Sequence, residues 1–290
     1  MIRTAIPVLL ALGPLSLVSG LFAQVPAPVP PPGQLKTLQE LLTEMQAAEK
    51  SATSVYLEMT SKGSYAGDVN FDTQGTLRVL NGTHFQMHLL ANFGEGMSAE
   101  SETVKTPEGV WIREDDPAFG KVFLKMDKEL VDKLDEATRI LGQEGAAVPG
   151  SLSEQSTSPL GSSMLESLSQ QYDLKVERKV FKDGQECWVV AGDLRGDLPP
   201  PDENAPPVPD RVDILVRTLD SAVLQMVHLK DGREQLRVNI TRLEPNRPME
   251  EDSFRIDGQD QAPIDIMEHP PAAAQIQATL DAAQAKKDGD

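Results

Sequence analysis

The sequence predicts an α+β fold: one curved antiparallel sheet of roughly ten strands, with helices covering its concave face. Three observations lead there. Short segments alternate apolar and polar residues, the period of a strand with one buried face. Tight-turn dipeptides join many of them, namely Asn81-Gly82, Asp183-Gly184 and Asp231-Gly232. Both residues of such a turn need positive φ, which Asn, Asp and Gly tolerate best. Two further segments carry apolar residues at helical spacing, and a sheet with one apolar face needs such a cover.

The elements follow in order. Arg3 precedes an uncharged apolar run from Ala5 to Ala23 that ends in small residues. A basic start, an apolar middle and small residues at the end predict an export signal over 1–23. Pro7 and Pro14 argue against reading it as a buried helix. No Cys follows the run, so the expected product is cleaved, not lipidated, periplasmic and without stable membrane insertion. Residues 24–34 are proline-rich and predict an extended spacer. Leu35 to Lys50 is helical, its stripe made of Leu35, Leu38, Leu41, Leu42, Met45 and Ala48.

Strands are expected at Ser54–Ser61, Thr76–Leu80, Thr83–Leu89, Met97–Lys105 and Val110–Arg113. The Thr106-Pro107-Glu108-Gly109 linker fits a type I turn. Lys128 to Leu141 is the second amphipathic helix, with Leu130, Val131, Leu134, Ala137, Ile140 and Leu141 on one side. A Gly, Ser and Pro rich loop over 142–163 and a short helix from Met164 to Gln171 come next. Five more strands then run from Leu174 to Leu243, interrupted by a loop at 197–210 with six prolines. Residues 270–290, rich in Ala and Gln, are expected to be a disordered tail.

Composition excludes several function classes. The net charge is −18, which repels nucleic acid and anionic headgroups at long range. Cys187, the single cysteine, lies in the apolar segment Glu186-Cys187-Trp188-Val189-Val190 and is expected to be a buried structural thiol. His84 and His88 share a strand face, but four strand residues separate them by about 13 Å, too far for one metal ion. The cluster Glu114-Asp115-Asp116 lacks the alternate spacing of a calcium loop and is expected to be a solvated turn. No Gly-x-Ser-x-Gly elbow or phosphate loop occurs. No catalytic residue, metal or cofactor is therefore assigned, and the protein is read as not an enzyme.

The ends of the folded part carry a resemblance. An amphipathic helix, Leu41 to Val55, runs straight into a strand, and a meander closes with a strand followed by Asn246-Arg247-Pro248-Met249, acidic residues and Ser253-Phe254-Arg255. This pattern resembles the LolA/LolB/LppX-like family of lipoprotein carriers, across roughly Leu35 to Asp265. The resemblance implies an incomplete half-barrel over 35–269 whose helix-covered apolar space holds acyl chains. Candidate cavity residues are Leu57, Met59, Leu77, Val79, Phe85, Met87, Leu89, Val104 and Trp111. Candidate lid residues are Leu38, Leu41, Leu42 and Met45 on the first helix and Leu130 and Leu134 on the second. The implied function is transfer of lipoproteins or other lipids across the cell envelope, between a membrane donor and an acceptor protein. The alternative is a non-enzymatic envelope sensor of the RseB/MucB-like type on the same fold.

Overall fold

The computed structural model of the protein describes residues 35–65, 69–94, 96–117, 120–141, 160–197, 208–256 and 262–289. The export signal, the spacer and most of the loops expected at 142–163 and 197–210 lie outside these residues.

Helix α1 (Leu38–Ser51) opens the described chain. Thr37 and Glu40 close a capping box at its start, each side chain satisfying a backbone N–H of the other's region. Six strands follow as a meander: β1 (Ser54–Tyr65), β2 (Val69–Leu80), β3 (His84–Asn92), β4 (Ser98–Thr106), β5 (Gly109–Asp116) and β6 (Gly120–Asp127). Helices α2 (Lys128–Leu141) and α3 (Ser162–Gln171) come between them and β7 (Lys175–Lys182), β8 (Gln185–Asp193), β9 (Arg211–Arg217), β10 (Val223–Lys230) and β11 (Arg233–Pro245). A two-residue strand β12 (Ile264–Asp265) and helix α4 (Pro270–Gly289) end it.

The described strands all belong to one open sheet, in the order β12-β6-β5-β4-β3-β2-β1-β11-β10-β9-β8-β7. Their pairings are antiparallel except that of β12 with β6. The three dipeptide turns form as expected, with φ of 51° and 66° at Asn81-Gly82, 50° and 77° at Asp183-Gly184, and 50° and 71° at Asp231-Gly232.

The open α+β sheet is the expected one, and it counts twelve strands where the sequence suggests roughly ten. β6 alternates as a strand should, but no tight-turn dipeptide announces it, and β12 is too short to show a period. One expectation needs correction. The segment at 270–290 is helix α4 over Pro270–Gly289 rather than a disordered tail. Its Ala272, Ile276 and Ala283 are buried, the first two in a cluster with α2 and β5–β6. Alanine has the highest helix propensity, so the composition that suggested fraying suits a helix once a neighbour takes up its apolar side. Lys287 pairs with Glu136 of α2 at 3.0 Å and fixes the far end.

Candidate functional site

Cross-strand partners share a face, so the register sorts every strand residue. One face carries the rows Val55–Val79–Phe85, Leu57–Leu77–Met87 and Met59–Gly75–Leu89. These rows run on through Val110 and Met126, and through Ile112 and Leu124, on one side. On the other side two of them reach Leu243 and Ile240 of β11, and the same face continues through the next row, Ser61, Val238, Met226, Ile214 and Val190. This continuous apolar face is also the one the helices cover. Seven of the nine cavity candidates lie on it: Leu57, Met59, Leu77, Val79, Phe85, Met87 and Leu89.

Val104 and Trp111 do not. They pair with each other across β4–β5, and Val104 faces Gln86 across β3–β4, which puts both on the opposite, polar face. Val104 packs there with Leu80 and Phe254, and Lys125 stacks over the Trp111 ring at 5.6 Å. Apolar character alone misplaced them, because that face holds a small core of its own.

Four of the six lid candidates are buried and two, Leu38 and Leu130, are half-buried, and they lie at the two ends of the sheet. Leu41, Leu42 and Met45 of α1 join Leu165 of α3 and Tyr172, Trp188, Val190, Ile214 and Val216. Leu38 packs on the edge of that cluster. Leu134 of α2 joins Ile276 of α4 over Val110, Ile112, Leu124 and Met126, with Leu130 beside it. Between these ends lies a third cluster, Leu57, Leu77, Val79 and Phe85, with Met59, Met87, Ile240 and Leu243 half-buried around it. Among the described residues no helical side chain belongs to this central cluster. The expectation that α1 and α2 close over it is thus corrected: they flank it. Helix α1 leaves the centre because α3 and the end strands offer it a larger apolar surface, including Trp188, on which Lys36 also stacks at 5.5 Å.

Charged groups also reach this face. Lys105 extends from β4 to Asp135 of α2 at 3.2 Å, tying the second helix to the sheet. Glu114 follows Ser101 in the Met59 row, so it belongs to β5 and not to a solvated turn. Burial pushes its carboxyl above the usual range, Asp116 adds to this, and His269 opposes it. His228, beside Val212 on the same face, is held below the ordinary histidine range by burial.

The other face explains the C-terminal motif. Asn246 adopts φ of 58° and accepts a bond from the Thr53 backbone N–H at 2.9 Å. Arg247 stacks on Tyr56 at 4.3 Å. Phe254 is buried against His84, with ring centroids 5.4 Å apart, and the Arg78 guanidinium lies 4.8 Å over its ring. Arg78 donates to Gln86 at 2.7 Å, Gln86 to Glu102 at 2.7 Å, and Arg113 bridges Glu102 and Glu100, each at 2.9 Å. His88 lies 2.9 Å from the same Glu100. The motif is a strap fastened across the outside of the sheet; His84 packs under it, and His88 joins the charged network beside it.

Cys187 is buried, and burial raises its thiol above the ordinary range despite Arg217 and Lys182 nearby. Among the described residues no group of three His, Cys, Asp or Glu is placed to hold a metal ion. A polar groove of about 710 Å³ lies at the far end of β7–β9, lined by Asp173, Glu177, Asp193, Arg195 and Arg211. It touches none of the cavity candidates, and its charges largely pair with one another, Arg211 with Glu177, Asp193 and Asp213.

No protein-family model matches the sequence, and no curated protein matches it. Solved structures do. An uncharacterised conserved protein from Thermus thermophilus is 12% identical, with 78% of this chain and 98% of that chain covered and a TM-score of 0.43. Lipoprotein LppX of Mycobacterium tuberculosis is 14% identical, with 74% and 100% covered and a TM-score of 0.38. MucB in the MucA/MucB complex of Pseudomonas aeruginosa is 15% identical, with 75% and 60% covered and a TM-score of 0.39.

Proposed function

We propose that the protein is an exported, non-enzymatic binding protein that holds acyl chains of lipoproteins or other lipids against the middle of its apolar sheet face. The observation that carries this reading is the half-buried stripe Met59, Met87, Ile240 and Leu243, left between two helix-covered ends. Contiguous apolar surface left partly in water marks a contact site. Methionine suits ligands of varied shape, because its side chain is unbranched and polarizable. An acyl chain laid on the stripe gains about 0.8 kcal/mol per buried CH₂, so a dozen methylenes bind without any chemical step. The helix pairs then act as side walls, and Lys105 with Asp135 holds one of them in place.

Native mass spectrometry of the protein purified from the envelope without detergent tests the proposal. The expected result is bound lipid or lipoprotein, together with saturable uptake of a fluorescent fatty acid. An empty protein that takes up no fatty acid overturns it. Recovery with one stoichiometric protein partner and no lipid would transfer the assignment to the envelope-sensor alternative.

A further inference from the structure

Strand β4 interrupts the apolar face. The register places its Lys105, Thr103 and Ser101 on that face, directly opposite Phe85, Met87 and Leu89 of β3. The matching positions on the other side of the stripe, Leu243, Ile240 and Val238 of β11, are all apolar. Directly opposed side chains have Cβ atoms about 4.5–5.5 Å apart, so the two hydroxyls stand beside Met87 and Leu89. Ser101 is buried and Thr103 half-buried. Buried hydroxyls are normally hydrogen-bonded, because leaving one unpaired is costly. Neither of these makes a hydrogen bond to another described residue. The polar end of the stripe therefore has hydrogen-bonding capacity to spare.

We propose that Thr103 and Ser101 are the head subsite of the lipid site, donating hydrogen bonds to the ester carbonyls of an uncharged, glyceride-type head. The acyl chains then run back across β3, β2 and β1. This rests on the acyl-binding reading above and gives the ligand a direction. Packing supports that direction. Beyond β4, Ile112 and Leu124 lie under Leu134 of α2, and Lys105 pairs with Asp135 of the same helix at 3.2 Å. The open apolar path from Met87 therefore leads towards β1, three strand spacings or about 14 Å from β4. The donor set supports an ester. Each hydroxyl offers one O–H donor, which a carbonyl oxygen accepts without a charge on either side. The charges nearby disfavour an anionic head. Asp135 already balances Lys105, while Glu114 pairs with Ser101 across β4–β5 and Asp116 follows on the same face. Burial and then Asp116 push the Glu114 carboxyl up, with His269 opposing, so these surroundings resist negative charge and would resist a phosphate too.

Displacement of a bound fluorescent fatty acid tests the subsite, with three competitors of equal chain length: dioctanoylglycerol, its ether analogue dioctylglycerol, and dioctanoyl phosphatidic acid. The readout is the preference for ester over ether. It should fall at least about tenfold from the wild-type protein to the Thr103→Val, Ser101→Ala double variant, the effect of two lost hydrogen bonds. Comparing the two proteins through this ratio cancels the competitors' own solubility and any general loss of binding. Should the double variant fail to fold, Thr103→Val alone decides, with an expected fall of about threefold. Phosphatidic acid should displace the probe at least about tenfold less well than dioctanoylglycerol, and Glu114→Gln should narrow that gap. An ester preference unchanged by the hydroxyl variants, or phosphatidic acid as effective as dioctanoylglycerol on the wild-type protein, overturns the head subsite and leaves the acyl-binding reading standing. A protein that takes up no fatty acid overturns that reading and the subsite with it.

Discussion

Replacing Met87 and Ile240 together by Asn separates ligand binding from folding. Both side chains are half-buried, on the two sides of the Leu57–Leu77 pair, and neither touches a helix cluster. Full burial of such a side chain contributes about 1.5–3 kcal/mol, so completing the remaining half on ligand binding is worth about 1 kcal/mol each. An amide held against an acyl chain without a partner adds a penalty of about 1 kcal/mol or more. The pair should weaken binding by about 3–4 kcal/mol, or several hundredfold at about 1.4 kcal/mol per tenfold. Titration with a fluorescent fatty acid measures this, and thermal unfolding measures the cost to the fold, about 2 kcal/mol for the halves already buried. Trp111→Ser, on the opposite face, should leave binding unchanged. An unaltered affinity in the double variant, or an equal loss with Trp111→Ser, would show that the chain does not lie where the register places it.

Leu134→Ala, at a fully buried position of α2, should destabilise the protein by about 2–5 kcal/mol, read from chemical denaturation. Phe254→Ala removes the anchor of the strap and should cost about 3–5 kcal/mol, leaving Arg78 without its stacking surface. The pH dependence has two opposite contributions. His228 has a lowered folded pKa, so its neutral form supports the fold above the unfolded value of about 6.5, and that support fades as pH falls towards the folded value. Glu114 has a raised folded pKa, so the fold loses stability as pH rises from the ordinary carboxylate value to the folded one. Melting curves should show His228→Gln flattening the first window and Glu114→Gln the second.

How far the sequence reveals this molecule depends on which interactions are local. A two-residue turn fixes its own hairpin, so Asn81-Gly82, Asp183-Gly184 and Asp231-Gly232 were readable and the meander with them. The alternation in β1 likewise set Val55, Leu57 and Met59 on one face before any partner was known. Face assignment failed where two apolar surfaces compete. Val104 and Trp111 look like core residues, and Val104 is one, but its core lies under the strap, and nothing near it in sequence mentions Phe254. Helix placement failed for a related reason. A stripe such as Leu38, Leu41, Leu42 and Met45 shows that a helix must be covered, but not by which strands. That choice belongs to the long-range competition between the central rows and the larger surface offered by Trp188, Ile214 and α3. The same competition leaves Met59, Met87, Ile240 and Leu243 outside the helix-bearing clusters. The candidate site is thus a consequence of where the helices did not go, which explains why its residues were legible as apolar strand positions while its openness was not.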